Sequence, residues 1–531
     1  MAQSHFMYMN IKNNQKLIWI IFLIIIILAT CLRFYKLDQI PPSLSWDEAA
    51  VGYNAYTIAN WGRDEWGKVL PFYFKSFEDD KSPIHIYLTA IFVRLLGLDE
   101  FSTRAPFALF GVLNVILIFY LTRIFFKNEI IGLISAFFMA ISPYAIQFSR
   151  FNHEANIALF FFILGVFYFF KGIEQKPKYL IIGFLSFGIS ILSYHSSKLI
   201  VPVIILLLCL FYFKKLLLIK KEFILGILIL FILGTIFIYN PALLGGSRMK
   251  QTNIEDKSKT KIEIIWDRYL THFSNDYLFI SGDKNPKFST QYIGQFYKID
   301  LPFLIIGIIG LMIKRSKVSI IILVWALLAP LPASAFGGKD EAPHAARALF
   351  TMGSWNIISA YGFYLIIKFV KKPILQFMII SLVFLIIFWQ FKNYVNYYFN
   401  EYPKRFAIEW QYGLKQAVEY IKENNGYFRI YTTDVRSQPY IFFLYYLQQS
   451  LPEYLKSVNF NQTQDRSHSL VDSFSNFYFG GDLKESYPNP GYLFILSPSE
   501  YDGLRYKSVF NIKKKILYPN GTDAFFLVSY P

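Results

Sequence analysis

The chain has 531 residues, of which 54% are hydrophobic and only 17% are charged. A soluble protein of this length would form several water-facing domains and would need a larger share of charged side chains. Apolar stretches of roughly 17–25 residues, long enough to cross a bilayer, recur through most of the chain. The composition therefore excludes a soluble multidomain protein and predicts a polytopic α-helical membrane protein.

The formal net charge is +17, which in a soluble chain would suggest a nucleic-acid partner. Much of the excess lies in short loops between apolar runs, where positive charge indicates the cytoplasmic side of a membrane. We therefore expect a lipid bilayer as a partner, and no nucleic acid. The two cysteines, Cys31 and Cys209, both lie inside apolar runs, so neither a disulfide framework nor a CxxC metal site is predicted.

About eleven transmembrane helices are predicted, and the first is expected to stay uncleaved. Their approximate ranges are 17–33, 103–122, 130–148, 156–170, 179–194, 199–213, 222–239, 301–313, 318–335, 349–367 and 374–391. Basic loops lie at alternate connections and assign one face to the cytoplasm. These loops are 127–129, 171–178, 214–221, 314–317 and 368–373. The short run 84–98 would put later basic loops on the wrong side if it crossed the membrane, so we predict an interfacial amphipathic helix there.

This topology predicts a multi-pass plasma-membrane protein whose chemically interesting residues face the outside. We expect a transmembrane domain over 1–398, including an external first loop at 34–102, and an external α/β domain over 399–531. In the latter, 405–425 has the pattern of an amphipathic helix ending near Gly426. The segments RIYTTD, GYLFILS and AFFLVSY are predicted strands.

An external membrane face is where a sugar carried on a lipid phosphate could meet an acceptor. Transfer in one inverting step needs a carboxylate to take the proton of the acceptor hydroxyl. It also needs cations near the leaving phosphate, whose charge grows from about −1 toward −2. Asp47 and Glu48 follow the first apolar run and lie about 100° apart on a helix, so only one can point into a site. The simpler interpretation is that Asp47 merely begins a helix after Ser45.

Further ionisable groups lie at other predicted external span ends. Lys81 is a candidate for binding the lipid phosphate, and Asp80 for holding a divalent ion or neutralising Lys81. A solvated charge run is the alternative for this segment, and Arg or Lys at a span end often only snorkels to the headgroups. The candidates for donor-phosphate or substrate binding are Glu48, Lys81, Arg150, His153, Glu154, His195, Lys198, His344 and Arg347.

Three motifs near the start of the chain resemble those of the GT-C superfamily of membrane glycosyltransferases. The most similar branch is family 39-like and includes dolichyl-phosphate-mannose protein mannosyltransferases, aminoarabinose transferases and related bacterial proteins. The motifs are Asp47-Glu48, then Asp80-Lys81-Ser82-Pro83-Ile84, then Phe101-Ser102-Thr103-Arg104-Ala105-Pro106. The similarity spans roughly residues 15–240 and the eleven-helix plan, and it extends to SYHSSKLIVP and APHAARALF.

The resemblance implies a GT-C-like transmembrane fold, a polyprenyl-phosphate sugar donor and inversion at the anomeric carbon. It also implies that Asp47 is the catalytic base and that Lys81 contacts the donor phosphate. Asp80 stands where some relatives carry a metal-binding Glu and others need no metal, so a divalent metal ion stays an open expectation. The acceptor is a lipid, a glycan or a protein, and neither it nor the sugar is specified.

Two other functions stay open at this point: a flippase or transporter of a lipid-linked sugar, and a membrane scaffold with an external binding domain. Transporters typically carry charged residues within broken spans near the midplane. The predicted spans are instead nearly free of charge at their centres, which favours chemistry at the surface. The chain has no HExxH, Walker, GxGxxG or GxSxG motif, which argues against zinc hydrolases, P-loop enzymes and nucleophile-elbow hydrolases.

Overall fold

The computed structural model describes residues 15–77, 79–240, 259–336, 342–461, 470–485 and 487–530. The chain forms two compact units. Unit 1 comprises Met1–Tyr35 and Phe107–Tyr397, and unit 2 comprises Lys36–Pro106 and Tyr398–Pro531. The predicted domains 1–398 and 399–531 divide the chain differently, and that boundary stays a prediction.

Helices make up most of the described chain. In chain order they are α1 Gln15–Phe34, α2 Trp46–Trp61, α3 Pro83–Leu96, α4 Glu100–Phe126, α5 Glu129–Ile141, α6 Pro143–Ser149, α7 Glu154–Glu174, α8 Tyr179–Ser193, α9 Ser197–Leu218, α10 Lys220–Tyr239, α11 Lys261–Thr271, α12 Asp300–Lys314, α13 Lys317–Leu328, α14 Leu331–Ala335, α15 Thr351–Phe369, α16 Pro373–Asn396, α17 Tyr402–Arg405, α18 Leu414–Glu423, α19 Pro439–Tyr446, α20 Leu451–Ser457 and α21 Pro498–Asp502. The strands are β1 Phe74–Ser76, β2 Asp79–Lys81, β3 Arg429–Thr432, β4 Asn459–Phe460, β5 Val471–Phe474, β6 Phe477–Phe479, β7 Tyr492–Leu496, β8 Asn511–Leu517 and β9 Asp523–Ser529.

The mostly helical membrane fold is confirmed, although fewer helices qualify as spans than the eleven predicted. Among the described residues, 7 helices are long and apolar enough to cross a membrane, or 8 if the bent pair α5–α6 counts as one span. Each of the eleven predicted ranges does overlap a helix. However, α8 and α12 have only 15 residues each, a rise of about 22 Å against a hydrocarbon core of about 30 Å.

Unit 1 is built by helices that pack closely through small residues. A Cβ atom on Gly362 of α15 would lie only 1.9 Å from the carbonyl oxygen of Phe303 in α12. Such backbone approach is typical of helices in membranes, where small residues replace the hydrophobic effect as the source of tight association. This packing fixes the helix ends from which the loops of unit 1 emerge.

Unit 2 contains a seven-stranded mixed sheet with the order β4-β5-β6-β3-β7-β9-β8. β3 runs parallel to both β6 and β7, and the remaining pairs are antiparallel. One face of the sheet packs on α18 and α19 in the main core of this unit. The three predicted strands correspond to β3, β7 and β9, so the α/β character of the C-terminal region is confirmed.

The prediction of one continuous amphipathic helix over 405–425 is wrong at the N-terminal end of that range. A short 3₁₀ helix at Ala407–Trp410 precedes α18, and Gly413 between them has φ +108. This left-handed conformation suits glycine, and a Cβ there would lie 2.7 Å from the ring of Phe525. The chain therefore turns at Gly413 and starts a new helix at Leu414.

The run predicted as an interfacial helix forms α3, which has 14 residues and is too short to cross a membrane. Its apolar side chains divide between the two sides of the helix. Ile86, Ala90 and Val93 are buried in unit 2, whereas Ile91, Leu95 and Leu96 are exposed. The helix is confirmed, and its position in the membrane interface stays a prediction.

Candidate active site

The N-terminus of α2 is fixed by a capping box. Ser45 Oγ accepts a hydrogen bond from Glu48 N at 3.3 Å, and Glu48 Oε2 accepts one from Ser45 N at 3.0 Å. This reciprocal pair satisfies two backbone donors at the helix start. The capping partner of Ser45 is therefore Glu48, and Asp47 also lies in the first turn of the helix, as the simpler interpretation expects.

Glu48 also forms a fully buried ion pair with Arg104 of α4. Arg104 Nε lies 2.9 Å from Glu48 Oε1, and both side chains have no exposed surface. The same guanidinium donates hydrogen bonds to the carbonyl oxygens of Leu37, Pro41 and Ser43. Arg104 thus holds the turn that leads into α2, and a structural role accounts for Glu48, whose predicted contact with substrate stays a prediction.

Arg104 belongs to the Phe-x-x-Arg-x-Pro motif, but sequence reasoning did not select it as a site residue. The sequence did contain a signal that could have marked Arg104, because a lone arginine at the start of a long apolar helix needs a partner. What the sequence does not display is that the partner lies 56 positions earlier in the chain.

Asp47 points away from this buried pair and meets Lys81. Lys81 Nζ lies 2.7 Å from Asp47 Oδ1, and the side chains are 11% and 44% exposed, respectively. Lys81 ends the hairpin β1–β2, in which Phe74 pairs with Lys81 and Ser76 with Asp79. A half-exposed carboxylate and a lysine therefore form an ion pair beside the first turn of α2.

The close packing of α2 depends on its small residues. Ala49, Ala50 and Ala55 are buried. A Cβ on Gly52 would lie 2.4 Å from the ring of Tyr445 and 2.9 Å from Thr103 Oγ1. The helix that presents Asp47 is thus held against α4 and α19, and any side chain at position 52 would push it away.

A metal site at Asp80 stays a prediction. Among the residues that the structure describes, no group of three or more His, Cys, Asp or Glu side chains could hold a metal ion. Glu78 and the side chain of Asp79 lie outside the described part. No step of the proposed chemistry is routed through a metal.

In unit 1 the three predicted clusters of histidines and cations come together around one aromatic ring. The ring centroid of Phe288 lies 5.8 Å from that of His153 and 5.0 Å from that of His344. His153 in turn lies 5.6 Å from the ring of Tyr194. Segments separated by up to about two hundred positions therefore share one neighbourhood, as the predicted topology required.

The segment 194–198 is joined to the segment around His344 by a hydrogen bond of Ser196. Lys198 Nζ lies 3.1 Å from His195 Nδ1. Ser196 Oγ donates to the carbonyl oxygen of Arg347 at 2.7 Å, and Arg347 Nη1 donates to the carbonyl oxygen of Phe336 at 3.0 Å. We call His153, His195, Lys198, His344 and Arg347 around Phe288 the histidine cluster.

Two predicted site residues have clear structural partners. Arg150 is fully buried and donates to the carbonyl oxygens of Leu32, Arg33 and Tyr35, which end α1. His153 Nδ1 accepts a hydrogen bond from Ala155 N at 3.2 Å and caps α7, whose first residue is Glu154. Glu154 Oε2 lies 3.9 Å from His153 Nδ1. The substrate-binding roles of these three residues stay predictions.

Sequence reasoning missed two buried residues of the loop 266–300 that organise the segment around His344. His272 Nε2 accepts a hydrogen bond from His344 N at 3.1 Å, and Asp283 Oδ2 accepts one from Ala345 N at 2.6 Å. Burial lowers the pKa of His272 to about 4, so the ring is neutral at physiological pH. Only the aromatic richness of this loop marked it in the sequence.

Comparison with known proteins finds similarity to one glycosyltransferase family over part of the chain. Residues 80–239 match the family model of the dolichyl-phosphate-mannose-protein mannosyltransferases. Two Bacillus subtilis proteins, named "Putative mannosyltransferase YkcB" and "Putative mannosyltransferase YycA", are 29% and 28% identical over 125 and 126 residues. These alignments cover 22% of this chain but only 17% and 18% of the two relatives.

Solved structures match the fold over nearly the whole chain. ArnT from Cupriavidus metallidurans, in the apo state and bound to undecaprenyl phosphate, aligns with a TM-score of 0.58 and 12% identity, covering 96% of this chain and 97% of ArnT. The Archaeoglobus fulgidus oligosaccharyltransferase tethered to an acceptor peptide aligns with a TM-score of 0.52 and 13% identity, covering 96% and 74%. The predicted resemblance is therefore confirmed: residues 80–239 match the family model of the dolichyl-phosphate-mannose-protein mannosyltransferases, and the fold of the chain is similar to those of ArnT and the oligosaccharyltransferase.

Proposed function

We propose that this protein is a membrane glycosyltransferase that moves a sugar from a polyprenyl-phosphate donor to an acceptor hydroxyl at the external face of the plasma membrane. The observation that carries the proposal is the pair Asp47–Lys81, in which a half-exposed carboxylate lies 2.7 Å from an ammonium group. The family match over residues 80–239 supports the reaction class. The structural relative ArnT, solved with undecaprenyl phosphate bound, supports the donor class.

The proposed chemistry is a single displacement. The acceptor oxygen attacks the anomeric carbon while Asp47 takes its proton, and the bond from that carbon to the phosphate oxygen breaks. The leaving polyprenyl phosphate gains negative charge, which Lys81 stabilises through its ammonium group. Because attack and departure occur on opposite sides of the carbon, the product has inverted configuration. In this scheme the ion pair of Asp47 and Lys81 opens when the substrates bind, so that the carboxylate reaches the acceptor oxygen and the ammonium group reaches the phosphate.

Glu48 and Arg104 take no direct part in this scheme. Their buried ion pair fixes the first turn of α2 and therefore the direction in which Asp47 points. Positioning of this kind matters because a misplacement of about 1 Å can cost roughly a hundredfold in rate. The histidine cluster of unit 1 is proposed to bind polar groups of a substrate, since it concentrates cations and imidazoles at helix ends.

Transfer by the purified protein tests the base assignment. Radiolabelled undecaprenyl-phosphate mannose and undecaprenyl-phosphate glucose would serve as donors, with membrane lipid and glycan extracts as acceptors. Asp47→Asn is expected to lower the transfer rate at least about a hundredfold because the base is lost. Asp38→Asn, which changes an exposed carboxylate in the same stretch of chain, is the matched control and is expected to keep the rate.

Two further readouts separate the parts of the proposal. The anomeric configuration of the product, read by NMR, is expected to be inverted relative to the donor, and retention would contradict a single displacement. Addition of EDTA tests the open question of a metal at Asp80. Unchanged transfer by Asp47→Asn would overturn the base assignment, and movement of the sugar lipid across the bilayer without transfer would favour the flippase alternative.

A further inference from the structure

An exposed apolar tip projects from the loop between α2 and the hairpin β1–β2. Val69, Leu70 and Phe72 are 57%, 58% and 55% exposed, respectively. Three large apolar side chains within four residues form a contiguous patch on a loop, which soluble surfaces usually avoid. We call this segment, residues 69–72, the apolar tip.

The backbone holds the apolar tip in a defined conformation. Leu70 N donates a hydrogen bond to the carbonyl oxygen of Gly62 at 3.0 Å, and Asp64 Oδ1 accepts from Trp66 N and Lys68 N. Leu70 itself has φ +39, a left-handed conformation that is a true outlier for a bulky residue. The backbone at Leu70 is therefore strained while these side chains face outward. Strain of this kind is concentrated in functional segments of proteins.

The apolar tip is flanked in the chain by two aromatic rings, and a lysine lies over each ring. Lys68 Nζ lies 3.9 Å from the ring centroid of Tyr73, and Lys75 Nζ lies 4.6 Å from that of Trp66. Residues 66–77 contain these two lysines and no carboxylate. Acids flank this segment at positions 64–65 and 78–80, so it is the two lysines themselves that can bind anionic headgroups.

The apolar tip is joined to the exposed side of α3. The hydroxyl of Tyr87 in α3 donates a hydrogen bond to the carbonyl oxygen of Pro71 at 3.0 Å. α3 exposes Ile91, Leu95 and Leu96, and Leu95 is 76% exposed. Two neighbouring elements of unit 2 thus carry exposed apolar side chains.

We propose that the apolar tip inserts into the interface of the bilayer that the chain spans, with lipid acyl chains around residues 69–72. The exposed apolar residues 69–72 are flanked on both sides by a lysine and an aromatic ring, Lys68 and Trp66 before them and Tyr73 and Lys75 after them. Trp, Tyr and Lys beside an apolar segment are typical of residues that anchor at a bilayer interface. An acidic protein partner would be attracted by the lysines, but it would not explain why the apolar side chains of residues 69–72 are exposed. This inference stands apart from the proposed reaction, because it concerns the lipid around the loop.

A fluorescence measurement on the full chain in vesicles tests the proposal. A cysteine carrying an environment-sensitive dye would be placed at Leu70→Cys, in a background in which Cys31 and Cys209 are serine. The matched control is Val435→Cys, because Val435 belongs to the same unit and is 56% exposed, against 58% for Leu70. The vesicles contain phosphatidylcholine and phosphatidylglycerol, with nitroxide labels on the acyl chains or, in a parallel sample, iodide in the water.

The dye at position 70 is expected to lose about half or more of its emission to the acyl-chain nitroxide and little to iodide, whereas the dye at position 435 shows the opposite. Phe72→Cys serves as a second probe if the first variant does not fold. Quenching of position 70 by iodide alone would overturn the proposal, because the apolar tip would then lie in water. Protection from both quenchers would also overturn it, because a protein surface would then cover the loop.

Replacing Lys68 and Lys75 by glutamine gives a separate readout. Acyl-chain quenching at position 70 is expected to fall in vesicles that contain phosphatidylglycerol and to change little in pure phosphatidylcholine. Equal quenching of the lysine variant in both lipids would contradict the part assigned to the lysines. The transfer reaction is not read in either experiment, so failure of the proposed function leaves this test intact.

Discussion

Lys81 Nζ and Asp47 Oδ1 are 2.7 Å apart, although 34 positions of chain separate the two residues. The hairpin β1–β2 brings the lysine back to the first turn of α2, where the carboxylate is half exposed. A donor phosphate that reaches this site meets a cation already in place. The position of Lys81 is therefore as important to the proposed reaction as the carboxylate itself.

Removing the positive charge of Lys81 is expected to impair both binding and turnover. In Lys81→Gln we expect at least a tenfold lower transfer rate, because the leaving phosphate loses its cation. Lys81→Arg keeps a positive charge and is expected to retain part of the activity. Thermal stabilisation of the purified protein by undecaprenyl phosphate measures binding directly, and it is expected in the wild type and reduced in Lys81→Gln. The control Lys422→Gln removes an exposed lysine of α18, and a loss of activity there would show that net charge alone is responsible.

Breaking the ion pair of Glu48 and Arg104 is expected to be costly because it leaves one charge buried without its partner. Glu48→Gln should lower the stability of unit 2 by about 3–5 kcal/mol. The measurement is denaturation in detergent, together with hydrogen exchange of residues 36–61. Glu129→Gln is the matched control, since its pair with Arg123 is 2.6 Å long but 21% and 39% exposed, and we expect a loss of at most about 1 kcal/mol. Equal losses in the two variants would contradict the account of the buried pair.

The stability of unit 2 is expected to fall as the pH rises from about 4.5 to 8. Burial raises the pKa of Glu65 from 4.5 to about 8, and the side chain has no exposed surface. The folded state binds the proton more tightly than the unfolded state, so the stabilisation is complete below pH 4.5 and is lost as the pH approaches 8. The loss amounts to about 5 kcal/mol at most. Hydrogen exchange of the segment 62–77 measures it, and Glu65→Gln is expected to remove the pH dependence.

The stability of unit 1 is expected to fall as the pH is lowered, which is the opposite of the dependence expected for unit 2. Burial lowers the pKa of His272 from 6.5 to about 4, so the unfolded state binds the proton more tightly. Stability is therefore lost as the pH falls from 6.5 toward 4, by about 3 kcal/mol. Protonation would also place a hydrogen on Nε2, which now accepts from His344 N. Hydrogen exchange around residue 344 checks this, and a variant His272→Asn that kept the same acid sensitivity would contradict it.

The local features of this fold were readable from the sequence. Helix periodicity and turn residues predicted the helices and the strands β3, β7 and β9, and the orientation inferred from the basic loops stays a prediction. The family resemblance implied that Asp47 and Lys81 belong to one site, but the direct ion pair between them was not predicted. The capping box between Ser45 and Glu48 was not predicted, because only Asp47 was considered at this helix start.

The features that the sequence did not reveal depend on contacts between distant positions. Asp283 binds the backbone of Ala345 across 62 positions, and no local pattern records that distance. The turn at Gly413 depends on the ring of Phe525, more than a hundred positions away. Fewer than eleven helices of the described residues have the length and hydropathy of a span. The helices α8 and α12 lie where hydropathy predicted them, but each has only 15 residues, and hydropathy alone does not fix the length of a helix.

The first turn of α2 has a consequence for how related sequences are compared. Its two acids have unlike neighbours: the longer side chain reaches inward to Arg104, and the shorter one stops at the surface beside Lys81. Exchanging the two acids would preserve composition and net charge. The aspartate would then be one methylene too short to reach Arg104, and the glutamate would be one methylene too long for the position beside Lys81. A homologue with Glu-Asp at this place is therefore not equivalent to one with Asp-Glu, and alignments that score these acids as interchangeable will overlook inactive relatives.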